Sequence, residues 1–277
     1  MSTVLVRYCE IGLKSTSVRR RFESILRNNM LTMLAADGIE SLITYADARF
    51  YIETEDVEGC VASVKKVFGI ASLSVTEVCS SDMNDICSTA AEYSEGRLKE
   101  GESFAVKARR EGSQQYTSME VGKEAGSAIF LRNEHLGIKV DLTNPDHTFY
   151  IEVRNNKAYI FDEYVTCPGG LPLGSQGRVS ADVNDDRGLV SAWMMMKRGC
   201  RVIVNGDYGN ELLIQYDPTL KVSDEDRDIL GKVLGTSLET LPSVGVSKYG
   251  YPVYFPTIGM DDNEVDTLLD SIKAFSF

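Results

Sequence analysis

A series of small α/β modules, the first two of α+β character, is the architecture this 277-residue sequence predicts. Three observations carry that prediction. The first 78 residues alternate strand-like and helix-like stretches in the order strand, helix, strand, strand, helix, strand. A second alternation of helices and strands runs to about residue 165. A stretch dense in glycine and proline then leads into a strand–helix–strand pattern typical of parallel sheets.

The elements follow in order. Residues 3 to 8 read as a strand from their β-branched content. A helix is expected from about Ser17 to Ala36, where Phe22, Ile25, Leu26, Met30, Leu31 and Met33 recur at helical spacing and Gly38 supplies the stop. Strands are expected over 41–45 and 48–54, a helix from Val57 to Phe68 stopped by Gly69, and a strand over 72–78. This order is the ferredoxin-like arrangement. Next come a helix over Met83 to Lys99 with acidic Asp82 and Asp85 near its start, and a strand over 103–108. A helix over 118–132 has Ser118 as its expected N-cap, and a short strand covers 139–142. A turn at Asn144-Pro145-Asp146 precedes a hairpin of 149–154 and 157–161 across Asn155-Asn156. The segment 167–177 holds four glycines and two prolines and reads as a linker or an ordered loop. Beyond it the pattern predicts a strand over 177–183, a helix over 188–198, a strand over 201–205, and helices near 224–233 and 263–274.

Composition narrows the function classes. Apolar residues make up 43% and charged residues 25%, as in soluble globular proteins. No stretch approaches the roughly 18–20 uncharged apolar residues of a membrane span, and the first residues lack a secretory layout, so a cytoplasmic protein is expected. Six cysteines are scattered without a Cys-x-x-Cys pair, which argues for free thiols over zinc ribbons or a disulfide framework. His135 and His147 fit no metal-ligand spacing, and no metal or other cofactor is expected. The net charge of −12 is unfavourable for a nucleic-acid ligand as a whole, with about −5 over residues 1–180 and about −7 over the remainder. Cations nonetheless cluster at Lys14, Arg19, Arg20 and Arg21 and again at Lys107, Arg109 and Arg110, and local patches can hold phosphate on an acidic protein. Strand alternation puts Lys107 and Arg109 on one sheet face and Phe104, Val106 and Ala108 on the other. A solvated face with ion pairs to Glu111 or Glu120 is the competing account of those cations.

Several motifs resemble those of the tRNA 4-thiouridine synthetases, or tRNA sulfurtransferases. Arg7-Tyr8-Cys9-Glu10-Ile11-Gly12-Leu13-Lys14-Ser15 resembles the family's opening, which usually carries glycine at the position of Cys9. Val67-Phe68-Gly69-Ile70 is similar to its junction into a THUMP domain. Residues 104–112, Ser118-Met119-Glu120-Val121-Gly122, residues 140–146 and Ile151-Glu152-Val153-Arg154 resemble the THUMP core. Gly169-Gly170-Leu171-Pro172-Leu173-Gly174 and Met194-Met195-Met196-Lys197-Arg198-Gly199 are similar to a lead-in and a helix of the PP-loop domain. The resemblance implies a ferredoxin-like domain over 1–78, a THUMP domain over 79–165, and a reduced, Rossmann-like PP-loop-type domain over 166–277. It implies contact with the acceptor end of tRNA through Lys107, Arg109 and Arg110, then Lys123 and Arg132, with Lys14, Arg19 and Arg20 extending the patch or simply exposed on a basic helix. It also implies a dimer.

Family members carry Ser-Gly-Gly-x-Asp-Ser at the first turn of the PP-loop, where small residues admit the pyrophosphate of ATP to backbone amides. At the matching place stand Val183, Asn184, Asp185, Asp186, Arg187 and Gly188. Two carboxylates would meet the phosphates; like charges about 4 Å apart repel by about 4 kcal/mol at an effective dielectric of about 20. No cysteine follows Cys200, although the family transfers sulfur through a late one. The resemblance therefore implies tRNA binding that helps thiolation or another modification, in a homodimer or beside an intact paralogue, without use of the ATP and magnesium of the family and with no catalytic residue of its own. A divergent active sulfurtransferase drawing on an external thiol, and an acidic protein-interaction or regulatory module, are the alternatives.

Overall fold

The computed structural model describes residues 3–224 and 228–276. The chain divides into two compact units, each built from three separate segments. The first comprises Met1–Val6, Ser41–Val57 and Leu73–Val165; the second comprises Arg7–Glu40, Glu58–Ser72 and Thr166–Phe277. The N-terminal segment is thereby shared: most residues of its strands fall in the first unit, and its two helices, apart from Val57, fall in the second.

Strands β1 (Thr3–Tyr8), β2 (Leu42–Ala46), β3 (Arg49–Glu53), β4 (Ile70–Ser80), β5 (Ser103–Glu111), β6 (Lys139–Val140), β7 (His147–Arg154), β8 (Lys157–Phe161) and β9 (Val165–Thr166) form one sheet in the order β2-β3-β1-β4-β8-β7-β5-β6, with β9 beside β4. Asn155 takes a positive φ of 49° in the two-residue turn between β7 and β8, a conformation asparagine tolerates better than most residues. Helices α3 (Met83–Ser94) and α4 (Ser118–Asn133) belong to this unit. The period-two residues Phe104, Phe149, Ile151, Val153, Ala158 and Ile160 cluster with Ile86 and Ala90 of α3 and with Val121, Ala125 and Ile129 of α4. Helical four-residue spacing and strand alternation thus meet in one core. A second cluster, Leu5, Tyr51, Tyr159 and Phe161, is built from the opposite parity of β8, with Tyr51 stacked on Tyr159 at 4.8 Å.

In the second unit, helices α1 (Thr16–Ala36) and α2 (Val57–Val64) accompany a parallel sheet. Its strands are β10 (Arg178–Asp182), β11 (Arg201–Asn205), β12 (Lys221–Val222), β13 (Lys232–Leu234) and β14 (Val253–Tyr254), ordered β12-β11-β10-β13-β14 with every pairing parallel. Helices α5 (Asp186–Lys197), α6 (Asn210–Ile214) and α7 (Asp262–Ser276) complete a Rossmann-like domain. Its core centres on Trp193, which meets Phe68 and Tyr216 at centroid distances of 5.5 and 5.9 Å. The 167–177 segment is an ordered loop: Gly169 accepts from the Gly69 amide at 2.8 Å, and Gly174 donates to the Gly199 carbonyl at 2.8 Å.

Four expectations change. The helix begun at Val57 stops at Val64, and the one begun at Met83 stops at Ser94, whose hydroxyl bonds the Ala91 carbonyl and receives Asn133. Local side-chain bonds of this kind compete with helix continuation. Thr117, not Ser118, caps α4, because it is Thr117 that stands three residues before Glu120 and closes a reciprocal capping box. The helix expected near 224–233 is replaced at its end by β13, where fully buried Val233 pairs with Ala181 in the sheet interior; residues 225–227 of that expectation lie outside the described residues. Among the described residues, no helix is long and apolar enough to cross a membrane, and no cluster of His, Cys, Asp or Glu could hold a metal ion.

Candidate nucleic-acid interface

The parallel pairing of β5 with β7 fixes where the predicted cations stand: Lys107 lies opposite Tyr150, and Arg109 opposite Glu152. Phe104, Val106 and Ala108 turn to the α4 side, as alternation requires, and Lys107 and Arg109 are exposed on the other face. Neither cation has an ion pair among the described residues. The two acids that could have neutralised them are used elsewhere. Glu111 binds Arg154, and Glu120 accepts from the backbone and hydroxyl of Thr117, which hold its carboxyl below the usual carboxylate range.

The remaining candidates differ in availability. The Arg110 guanidinium folds onto its own turn, donating to the Gly112 carbonyl at 2.7 Å and to Gln114 Oε1 at 3.3 Å. Lys123 lies 3.4 Å from the Glu124 carboxylate, and Arg132 is tied to Glu95. Lys14 and Arg20 are exposed, whereas Arg19 reaches Glu23 at 3.8 Å. These last three belong to the second unit and the β5 group to the first. One neighbouring cation escaped sequence reasoning. Arg154 is 9% exposed, bonds Glu152 at 3.2 Å and the Asp47 carbonyl at 3.2 Å, and sits in register with Glu111. Its role depends on strand register, which side-chain types alone do not encode.

The matching loop of the second unit lies between β10 and α5, at the carboxyl ends of the parallel strands. β11 lies on one side of β10 and β13 on the other, which makes this the switch point where doubly wound sheets take ligands. Here Asp185 caps α5, its Oδ1 accepting from the Gly188 amide at 2.7 Å. A side-chain carboxylate therefore occupies the helix N-terminus, where an anionic ligand would otherwise be favoured. Asp186 accepts from the Tyr208 hydroxyl at 2.7 Å. Arg187 turns away to the carbonyls of Thr257 and Met260 at 3.0 and 2.9 Å and to Asp262 at 2.7 Å. Two backbones press on the loop: a Cβ at Gly206 would lie 2.8 Å from Asn184 Oδ1, and one at Gly235 would lie 2.4 Å from the Gly188 nitrogen. The loop thus presents the Asp185 and Asp186 carboxylates at the amino end of α5. Beneath the loop lies a buried amine that the sequence did not betray. Lys232 reaches Asp182 at 2.7 Å and Ser180 Oγ at 3.0 Å. Cys200, the last cysteine, is 6% exposed, and burial pushes its thiol pKa up, away from nucleophilic thiolate.

Comparison with known proteins supplies the family. Residues 3–74 match the ThiI ferredoxin-like domain, and residues 80–163 match the THUMP domain. A probable tRNA sulfurtransferase of Methanosarcina acetivorans is 41% identical over 207 residues, covering 73% of this chain but 50% of the relative. This chain spans about half the length of several such relatives. A probable tRNA sulfurtransferase of Methanocaldococcus jannaschii is 32% identical and covers 98% of this chain and 88% of itself. That alignment runs over 339 positions, more than the 277 residues here, so the relative carries insertions this chain lacks. Among solved structures, PH1313 of Pyrococcus horikoshii superposes with a TM-score of 0.84 at 27% identity, over 99% of this chain and 100% of that one. A 4-thiouridine synthetase crystallised with RNA and bound ATP shares the fold, with a TM-score of 0.80 at 23% identity over 99% of this chain and 86% of that one. On the strength of the Methanocaldococcus relative and the two domain matches, the chain belongs to the tRNA sulfurtransferase family.

Proposed function

We propose that this chain binds tRNA through its THUMP region and serves a modification reaction without adenylating the RNA itself. The observation that carries the reading is the carboxylate of Asp185 seated on the Gly188 amide at the head of α5, in a chain whose Lys107 and Arg109 stand exposed without an ion pair among the described residues. Lys107 and Arg109 are the principal phosphate contacts. Arg110, Lys123, Lys14, Arg19 and Arg20 are secondary, and Arg132 is weakened as a candidate by its ion pair to Glu95. The acceptor end is the expected tRNA element, presented by a homodimer, or by a heterodimer with an intact paralogue, to the active site of a separate modifying enzyme or of that paralogue. Related proteins named sulfurtransferases, and a related synthetase crystallised with RNA and ATP, support this choice of ligand.

A divergent but active sulfurtransferase is favoured by one feature, a cavity of about 300 Å³ at the switch point whose walls include Asp182, Thr236, Lys248 and Tyr249. ATP–pyrophosphate exchange with and without tRNA separates the two readings. The expected result is tRNA retention on filters with exchange no faster than the blank. Exchange stimulated by tRNA would establish the enzyme instead, and no retention in low salt would remove the tRNA reading.

A further inference from the structure

In the first unit a groove of about 840 Å³ runs between α4 and the outer edge of β5. Val106 and Ala108 form its floor, and Gly122, Gly126 and Phe130 of α4 form one wall. The glycines keep that wall low: a Cβ at Gly126 would already touch Val106 Cγ2 at 3.7 Å. Apolar side chains at the rim stand in solvent, with Met119 83%, Leu131 68% and Leu142 74% exposed. Contiguous exposed apolar surface of this kind on a folded unit marks a binding site.

The adjoining backbone is also unfinished. β7 pairs with β5 along Phe104–Glu111, but on the other edge β6 covers only Ser103 and Phe104. The last bond on that edge runs from the Asp141 amide to the Phe104 carbonyl at 3.0 Å. Peptide groups alternate between the two edges of a strand, so those of Val106, Ala108 and Arg110 point the same way as that carbonyl. No strand among the described residues meets them. An unpaired edge beside an apolar groove is the geometry of strand addition, in which backbone bonds supply affinity and alternate side chains enter the groove.

Charge selects the occupant. Lys107 and Arg109 stand beside the edge on the face away from α4; on the groove side Lys123 lines the wall 3.4 Å from the Glu124 carboxylate, and Arg110 folds back onto Gly112 and Gln114. The nearby Glu120 and Asp141 carboxylates are engaged with their own backbone turns. We propose that the groove takes an extended acidic segment of a partner protein, added as a strand along β5 with apolar side chains at alternate positions resting on Val106, Ala108 and Gly126. A floor of valine and alanine methyl groups offers hydrogen bonds to no base, which favours a peptide over an RNA strand. The acidic side chains of the added strand lie beside Lys107 and Arg109, the cations given to tRNA above, so peptide and tRNA compete for them; the groove itself belongs to the peptide alone, and Gly126→Leu separates the two readings.

The probe is a fluorescein-labelled heptapeptide of alternating glutamate and leucine, tested on the full chain by anisotropy. A series carrying one N-methyl group at each position in turn accompanies it. Strand addition predicts saturable binding that falls tenfold or more for N-methylation at every second position and little at those between. Gly126→Leu, which fills the groove, should remove peptide binding and leave tRNA binding within twofold. No saturable binding, or an N-methylation effect without alternation, overturns the proposal. So does binding of a single-stranded oligoribonucleotide that Gly126→Leu abolishes while the peptide fails to bind, which would assign the groove to RNA.

Discussion

Two places in this protein have the elements of a phosphate site, and they differ in what has become of the positive charge. On β5, Lys107 and Arg109 stand in solvent because Arg154 and the α4 capping box have engaged the neighbouring acids. At the head of α5 the opposite holds. The amide that could meet an anion is bonded to Asp185, and the one cation of the loop, Arg187, is drawn off to Thr257, Met260 and Asp262. An anion site is defined less by which charged residues are present than by which have no internal partner.

The contrast can be broken at either place. Replacing Lys107 and Arg109 together with alanine should weaken tRNA binding ~10- to 100-fold near 0.1 M salt and lower the slope of log affinity against log salt by about 2, since about 0.9 counterion is released per phosphate contact. A titration across a salt series reads both, and an unchanged slope would show that these cations touch no phosphate. Arg187→Ala should do the reverse, costing about 2 kcal/mol of stability by leaving two carbonyls unpaired while tRNA affinity stays within twofold. Denaturant midpoints and filter binding check the pair of outcomes. The smallest effect belongs to Glu120→Gln. The Glu120 carboxyl is held below its ordinary pKa by the Thr117 amide, so the bond stabilises the fold above the unfolded-state pKa, about 4.3, and is lost as pH falls through the lower folded value. The Tm deficit of the variant should be full at pH 7 and shrink toward zero as the pH falls through the lowered folded-state value; a deficit unchanged by pH would disprove that account.

How much of this was legible beforehand varies with the range of the signal. The βαββαβ opening, the β7–β8 hairpin, α5 and α7 came through because period and stop signals act within a few residues. The Thr117-x-x-Glu120 box was equally local, and Ser118 displaced it only because both residues are acceptable caps. The short strands β12 to β14 carry too few residues to show a period, and β13 exists because Val233 finds Ala181 about fifty positions earlier in the chain. The site divides the same way. Exposure of Lys107 and Arg109 followed from alternation, but their freedom from ion pairs depends on where Arg154 and Thr117 reach, which is tertiary information.

The interleaving of the two units in sequence also bears on how the protein is made. Helix α1 leaves the ribosome early, yet Asn29 on it bonds the Leu173 carbonyl, and the sheet of its unit begins only at Arg178. At about 5–20 residues per second, on the order of ten seconds separates the helix from its partners. Through that interval Asn29 lacks its carbonyl acceptor, and Met33, buried in the finished fold, lacks the Leu173 and Tyr216 side chains that line the same hollow. A nascent chain stalled midway should therefore recruit chaperones through this one helix.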